Sequence, residues 1–194
     1  MPTPLVYLAS ASPRRQELLR QIGISFEVLP SNVLETRAPG EAPDVYVQRV
    51  AADKARFVAH LIATRGLPAR PVLGADTEVF LDDVILGKPN DAGHAAGMLR
   101  LLAGRSHRVL TGVCVMHAGI THEALSESVV TFAEMHEPEI AAYVATGEPF
   151  GKAGGYAIQG RGAAFIERLE GSYSGVMGLP LYETVRLLRA AGIA

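Results

Sequence analysis

The chain has 194 residues, 48% of them apolar and 20% charged, with a formal net charge of −2. That length carries one well-buried core and predicts a single domain over 1–194, while the absence of a net basic field excludes bulk attraction to nucleic acid or an anionic membrane, so any anion site must be local. No apolar stretch nears the roughly 20 residues that span a bilayer, and "MPTPLVYLAS" lacks the charged start and long apolar run of a secretory signal; a cytoplasmic protein is expected.

In chain order, a strand is predicted over Leu5 to Ala9 and then, after two serines and a proline, an amphipathic helix with Leu18, Leu19 and Ile22 on one face. Its first turn carries Arg14 and Arg15, the wrong sign of charge for the positive end of a helix dipole, and two cations there cost stability unless an anion joins them. A strand follows at Phe26 to Leu29. Pro43 to Gly66 reads as the longest helix, opened by its proline and closed by its glycine. Short strands are predicted at Val72 to Ala75, Val79 to Leu81 and Val84 to Leu86, with "LDDVIL" forming a tight hairpin around Asp82 and Asp83. Asp91 caps a helix running through Ala103, Val109 to Met116 is a strand, Pro138 opens a further helix, Ala164 to Leu169 is a strand and "PLYETVRLLRAAG" closes the chain as a helix. The fold class is α/β with a mixed sheet. The lone cysteine, Cys114, excludes an internal disulfide and, inside "TGVCVM", reads as core filler.

Three stretches bear chemistry. At the first helix start, Ser10, Ser12, the free N–H groups and Arg14 and Arg15 converge, a set suited to phosphate; a capped helix whose arginines face solvent fits the same residues. In "PVLGADTEVFLDDVILGKP" an apolar strand presents Asp76 and Thr77 where it ends, the usual ligand position of open α/β sheets, and Lys88 follows between Gly87 and Pro89. A carboxylate able to hold a divalent ion or deprotonate water, with a lysine for phosphate, is a phosphoryl-transfer pairing; a strand-end aspartate capping a turn is the plainer alternative. Glu35 and Lys54 join such a site or are solvated surface charges. The glycine-rich tail completes neither a Walker A loop nor a dinucleotide fingerprint, but "YAIQ" places Gln159 on a short strand where its amide reads a base edge or simply braces a turn. The six histidines are scattered without zinc-ligand spacing.

Taken together, "SASPRR", Glu35, Lys54 in "ADKAR", "GADT", "GKP", "YAIQGRGAAFI" and "GSYSGVMGLPLYET" resemble, in order and over essentially the whole chain, the Maf family of nucleoside triphosphate pyrophosphatases, also called septum formation inhibitor proteins. The resemblance implies an elongated α/β fold of the inosine triphosphatase kind, with two lobes around a cleft, and a homodimer. It implies water attack on the α-phosphorus of a nucleoside triphosphate with Mg²⁺ or Mn²⁺ as cofactor. Asp76 then matches the proton acceptor and metal carboxylate, Glu35 the second carboxylate, and Ser10, Arg14, Arg15, Lys54 and Lys88 the phosphate positions. Thr77 and Gln159 match the branch acting on dTTP and UTP, whereas the branch acting on 7-methyl-GTP differs at both. Glu78 departs from the apolar residue more often found after "GADT", and is expected to face solvent. Phosphatases with an aspartate nucleophile need a second Asp two residues on, where this chain has Glu78. A nucleotide-sensing division regulator without turnover is the non-enzymatic alternative.

Overall fold

Local signals account for most element boundaries in the computed structural model, which describes residues 6–193. The helix over Pro43–Arg65 starts with proline in its first turn and ends at Gly66, whose φ of 62° is the left-handed cap that a residue without Cβ adopts freely. Asp91 accepts the His94 amide at 2.7 Å to cap Ala92–Leu102. In the helix Glu137–Ala145 the Glu139 carboxylate reaches back to the His136 amide at 2.8 Å, forming a capping box.

The strands are β1 (Val6–Leu8), β2 (Phe26–Val28), β3 (Val72–Leu81), β4 (Val84–Ile85), β5 (Ser106–His117), β6 (Ile120–Phe132) and β7 (Ile166–Glu170). The helices are α1 (Pro13–Gln21), α2 (Pro43–Arg65), α3 (Ala92–Leu102), α4 (Glu137–Ala145), α5 (Tyr173–Met177) and α6 (Leu181–Ala190). The sheet has the order β2-β1-β3-β5-β6-β7, with β4 on β3; β1 runs parallel to β2 and β3, while the β3–β4 and β6–β7 pairs are antiparallel. It is therefore mixed, as predicted. The hairpin at Asp82 and Asp83 forms, with Asp82 at φ 54°, and Leu5, the expected first residue of β1, lies outside the described residues.

The chain divides into two compact units, one of the described residues up to Asp76 with Thr111–Ser126 and Gly178 onward, the other of Thr77–Leu110 and Glu127–Met177. In the first, α2 lays Val58, Ile62 and three alanines, Ala51, Ala52 and Ala55, against Tyr7, Ala9, Val72 and Cys114. Cys114 is core filler as expected, and burial pushes its thiol up to about 12. Glycines at two sheet positions permit the close approach: a Cβ on Gly74 would strike the Ala51 carbonyl, and one on Gly112 would sit 2.5 Å from that of Val47. In the second unit His107, Phe132 and Tyr156 meet edge to face at 4.8 to 5.4 Å, and α3 packs on α4.

Several elements differ from expectation. The two runs at Val72 and Val79 are one strand, because Thr77 and Glu78 are only half-buried polar residues within a ladder that continues onto β4. β6 is unannounced by hydrophobicity since its inward positions include Ser126 and Ser128, buried serines that break the apolar alternation. "YAIQ" is no strand: the Ala157 amide goes to the Tyr143 hydroxyl at 3.2 Å, and Ile158 and Gln159 lie in a turn. No helix among the described residues is long and apolar enough to cross a membrane.

Candidate active site

β1 and β3 pair in parallel through Leu8 and Leu73, and the Ala9 amide donates to the Leu73 carbonyl at 2.8 Å. Beyond that bond β1 gives way to Ser10 and α1, while β3 runs on through Asp76. The aspartate is thus in mid-strand, contrary to expectation, yet it lies just past the end of the parallel ladder, beside the start of the crossover helix. That is where open α/β sheets expose ligand-binding groups.

At this helix start Ser12 is the N-cap residue, but its side chain makes no capping bond; its amide donates instead to the Ser10 hydroxyl at 3.2 Å. The two arginines part company. Arg15 is 9% exposed, donating through Nη1 to the Ser10 hydroxyl at 3.0 Å and through Nε to the Gly178 carbonyl at 2.8 Å. A backbone carbonyl therefore supplies the negative partner, and the expectation that this cation lacks one without an anion is corrected. Arg14 is half-buried and makes no hydrogen bond or ion pair with another described residue; burial lowers its pKa.

Behind the helix start stands a charged trio. Asp76, 2% exposed, accepts from the Lys54 ammonium on Oδ1 at 2.7 Å, and the same ammonium lies 2.8 Å from Glu35 Oε1. Lys54, 6% exposed, projects from the otherwise apolar face of α2, where a charge is stable only because carboxylates meet it. Asp76 Oδ2 is buried with no hydrogen-bond partner. Such an orphan acceptor, on a carboxylate whose other oxygen is held by Lys54, marks the atom available for chemistry.

Glu35 is carried on the irregular segment between β2 and α2, and residues not singled out from the sequence hold that segment. The Arg49 guanidinium grips the Glu41 carboxylate at 2.6 and 2.9 Å and the Thr36 carbonyl at 3.0 Å, while the Tyr46 hydroxyl donates to the Glu35 carbonyl at 3.2 Å. The Arg49 bonds hold the Glu41 carboxyl down at about 2. Only a tertiary contact distinguishes Arg49 from the other arginines of α2.

The second unit holds the remaining candidates. Thr77 is half-buried, Lys88 is exposed between Gly87 and Pro89, and Gln159 is exposed on its turn. Glu78 is half-buried rather than solvent-facing. A further carboxylate, Glu148, fixes the Gln159 turn and gave no local signal.

Among the described residues no three His, Cys, Asp or Glu side chains gather into a metal-binding group. The donor set fits a hard divalent cation all the same, because Mg²⁺ and Mn²⁺ are held by one or two carboxylates with the rest of the shell drawn from water and substrate phosphate, and Asp76 Oδ2 is an unengaged oxygen.

A buried Asp–Lys pair met by the exposed carboxylate of Glu35, at the end of a parallel strand pair and next to an arginine-bearing helix start, suits a phosphate-handling α/β protein. The chain matches the family described as Maf-like protein over residues 5–191 and belongs to it. It is 57% identical over 199 residues to a protein of Ralstonia nicotianae named dTTP/UTP pyrophosphatase, covering 99% of this chain and 96% of that one. Proteins of the same name are 55% identical in Burkholderia pseudomallei, with 98% and 95% covered, and 54% identical in Cupriavidus metallidurans, with 98% of each covered.

Proposed function

We propose that the chain is a nucleoside triphosphate pyrophosphatase that splits dTTP and UTP into the monophosphate and pyrophosphate. The observation that carries this reading is the Asp76 carboxylate, buried, oriented by Lys54 through one oxygen and unengaged at the other; the names of the relatives supply the substrates. In the proposed reaction a water oxygen bonds to the α-phosphorus, the bond from that phosphorus to the bridging oxygen breaks, and the water proton passes to Asp76. Pyrophosphate departs with the bridging oxygen. Lys54 keeps Asp76 in one rotamer and offsets the charge that Asp76 and Glu35 bring together. Ser10, Ser12 and Arg14 take phosphate oxygens, with Arg15 holding Ser10 in place. Lys88 as a phosphate ligand, and Thr77 and Gln159 as readers of the base, are supported by the resemblance alone.

A Mg²⁺ or Mn²⁺ ion held by Asp76 and Glu35 would supply polarisation of the phosphoryl oxygens and neutralisation of their charge. A homodimer in the cytoplasm belongs to the same reading, and light scattering tests the dimer.

The decisive assay is product analysis over UTP, dTTP, ATP, GTP and 7-methyl-GTP with either metal. Pyrophosphate released fastest from UTP and dTTP is expected; orthophosphate would identify a phosphatase, and binding without release a sensor. Equal kcat/KM for UTP and 7-methyl-GTP would remove the pyrimidine assignment. Asp76→Asn should fold and lose on the order of 10² to 10⁴ in kcat, the usual worth of a general base.

A further inference from the structure

The turn that carries Gln159 is not held by its own sequence. Its backbone closes through the Gly160 amide on the Ala157 carbonyl at 3.1 Å, but the next two amides point away from any backbone acceptor. Both meet one carboxylate: Glu148 Oε2 accepts from the Arg161 amide at 3.0 Å, and Oε1 accepts from the Gly162 amide at 2.9 Å. The Tyr143 hydroxyl donates to Glu148 Oε1 at 2.8 Å while accepting the Ala157 amide at 3.2 Å, so the two ends of the turn are joined through a single Tyr–Glu pair. The fit is tight. A Cβ on Gly160 would strike the Glu148 carboxylate, and one on Gly162 would stand 2.8 Å from the Tyr143 hydroxyl and from the Ala157 carbonyl. The glycines of "QGRG" are thus dictated by Glu148 and Tyr143, whose approach leaves no room for side chains. Gln159 itself is exposed, and its immediate predecessors Ala157 and Ile158 are buried anchors.

We propose that Glu148 is a positioning residue for base selection: by gathering the Arg161 and Gly162 amides it holds the turn so that the Gln159 amide meets a pyrimidine edge in one orientation. This rests on the reading of Gln159 as the base-reading group. An exposed amide on a loose turn rotates to suit any base, whereas a turn whose N–H groups are captured by a charged acceptor presents donor and acceptor in fixed order. Glu148→Gln keeps the shape and turns part of the acceptor pair into an NH₂ group facing a backbone N–H, which sets donor against donor and frees that side of the turn.

The test compares kcat/KM for UTP and ATP in the unmodified enzyme, Gln159→Ala, Glu148→Gln and the double variant, with amide exchange of the Ala157 to Gly162 segment measured alongside. The expected result is faster exchange in Glu148→Gln and a UTP-to-ATP ratio that falls roughly tenfold, the size of one lost hydrogen bond, with no further fall in the double variant. A residue that merely stabilises the fold would lower both substrates by the same factor. Should Gln159→Ala narrow the ratio while Glu148→Gln lowers both substrates equally, or should the two losses multiply in the double variant, the positioning role is overturned and the base-reading role stands. An unchanged ratio in Gln159→Ala overturns both. If Glu148→Gln does not fold, Tyr143→Phe, which removes the hydroxyl shared by the carboxylate and the Ala157 amide, takes its place: a narrowed ratio supports the proposal and a uniform loss ends it.

Discussion

Arg14 and Arg15 carry the same charge one residue apart and are expected to respond to substitution in opposite ways. The Arg15 guanidinium ties α1 to the Gly178 carbonyl and to Ser10, so its loss removes two hydrogen bonds made by a buried charged group. Hydrogen bonds from charged groups contribute about 1.5–3 kcal/mol, and Arg15→Ala should lower stability by about that much in urea titration. Arg14 has no partner among the described residues to lose, and removing a cation from the positive end of a helix relieves a small repulsion. Arg14→Ala should therefore leave the Tm unchanged or slightly raised while increasing KM for the triphosphate. A stability loss from Arg14→Ala as large as that from Arg15→Ala would show that both arginines are structural.

At the scale of elements, the placing of α2 depends on glycines in the strands beneath it. Gly112→Ala would put a methyl group 2.5 Å from the Val47 carbonyl, and backbone on both sides has little freedom to yield. Overpacking of that kind costs about 3 kcal/mol or more, enough to lower the yield of folded protein. Gly97, in the interior of α3, has nothing within 4 Å of its missing Cβ and no positive φ. Gly97→Ala is expected to raise stability by about 0.5–1 kcal/mol, since alanine restricts the unfolded chain and fits the helix. Thermal melts of the two variants should move in opposite directions.

For the molecule as a whole, the pH dependence of stability carries the signature of one buried imidazole. His107 is 2% exposed, bonded through Nε2 to the Tyr156 hydroxyl at 2.8 Å, and burial pushes its pKa down to about 4. In the unfolded chain a histidine titrates near 6.5, so between about pH 6.5 and 4 the unfolded state binds a proton that the folded state refuses. Stability contributed by the neutral form is complete above pH 6.5, declines as pH falls through this window and levels off below 4, for a total of about 3 kcal/mol. His107→Gln, which retains a polar partner for Tyr156 but does not titrate, should flatten that part of a denaturation series. An unaltered acid slope would place the sensitivity elsewhere.

Much of the architecture was legible without coordinates. Pro43 and Gly66 bound α2, Asp91 caps α3 and the Asp82–Asp83 pair turns the hairpin because proline, glycine and aspartate restrict or satisfy the backbone within a few residues of themselves. Such effects are local, and a linear sequence displays them. The same holds for the presence of Ser10, Arg14, Asp76, Lys54 and Glu35 as candidates. Which atoms meet was another matter. Lys54 reaches Asp76 across 22 positions and Arg15 reaches Gly178 across 163, and neither partner is encoded in the neighbourhood of the other. Ser126 and Ser128 show no strand periodicity because burial inside β6, rather than their own hydrophobicity, turns them inward. By itself the sequence determined where much of the backbone turns and caps and which side chains are candidates for chemistry; tertiary structure alone decided which charge is neutralised, by what, and which oxygen is left unengaged, because burial raises the cost of an unpaired charge and only packing of distant segments selects the partner that meets it.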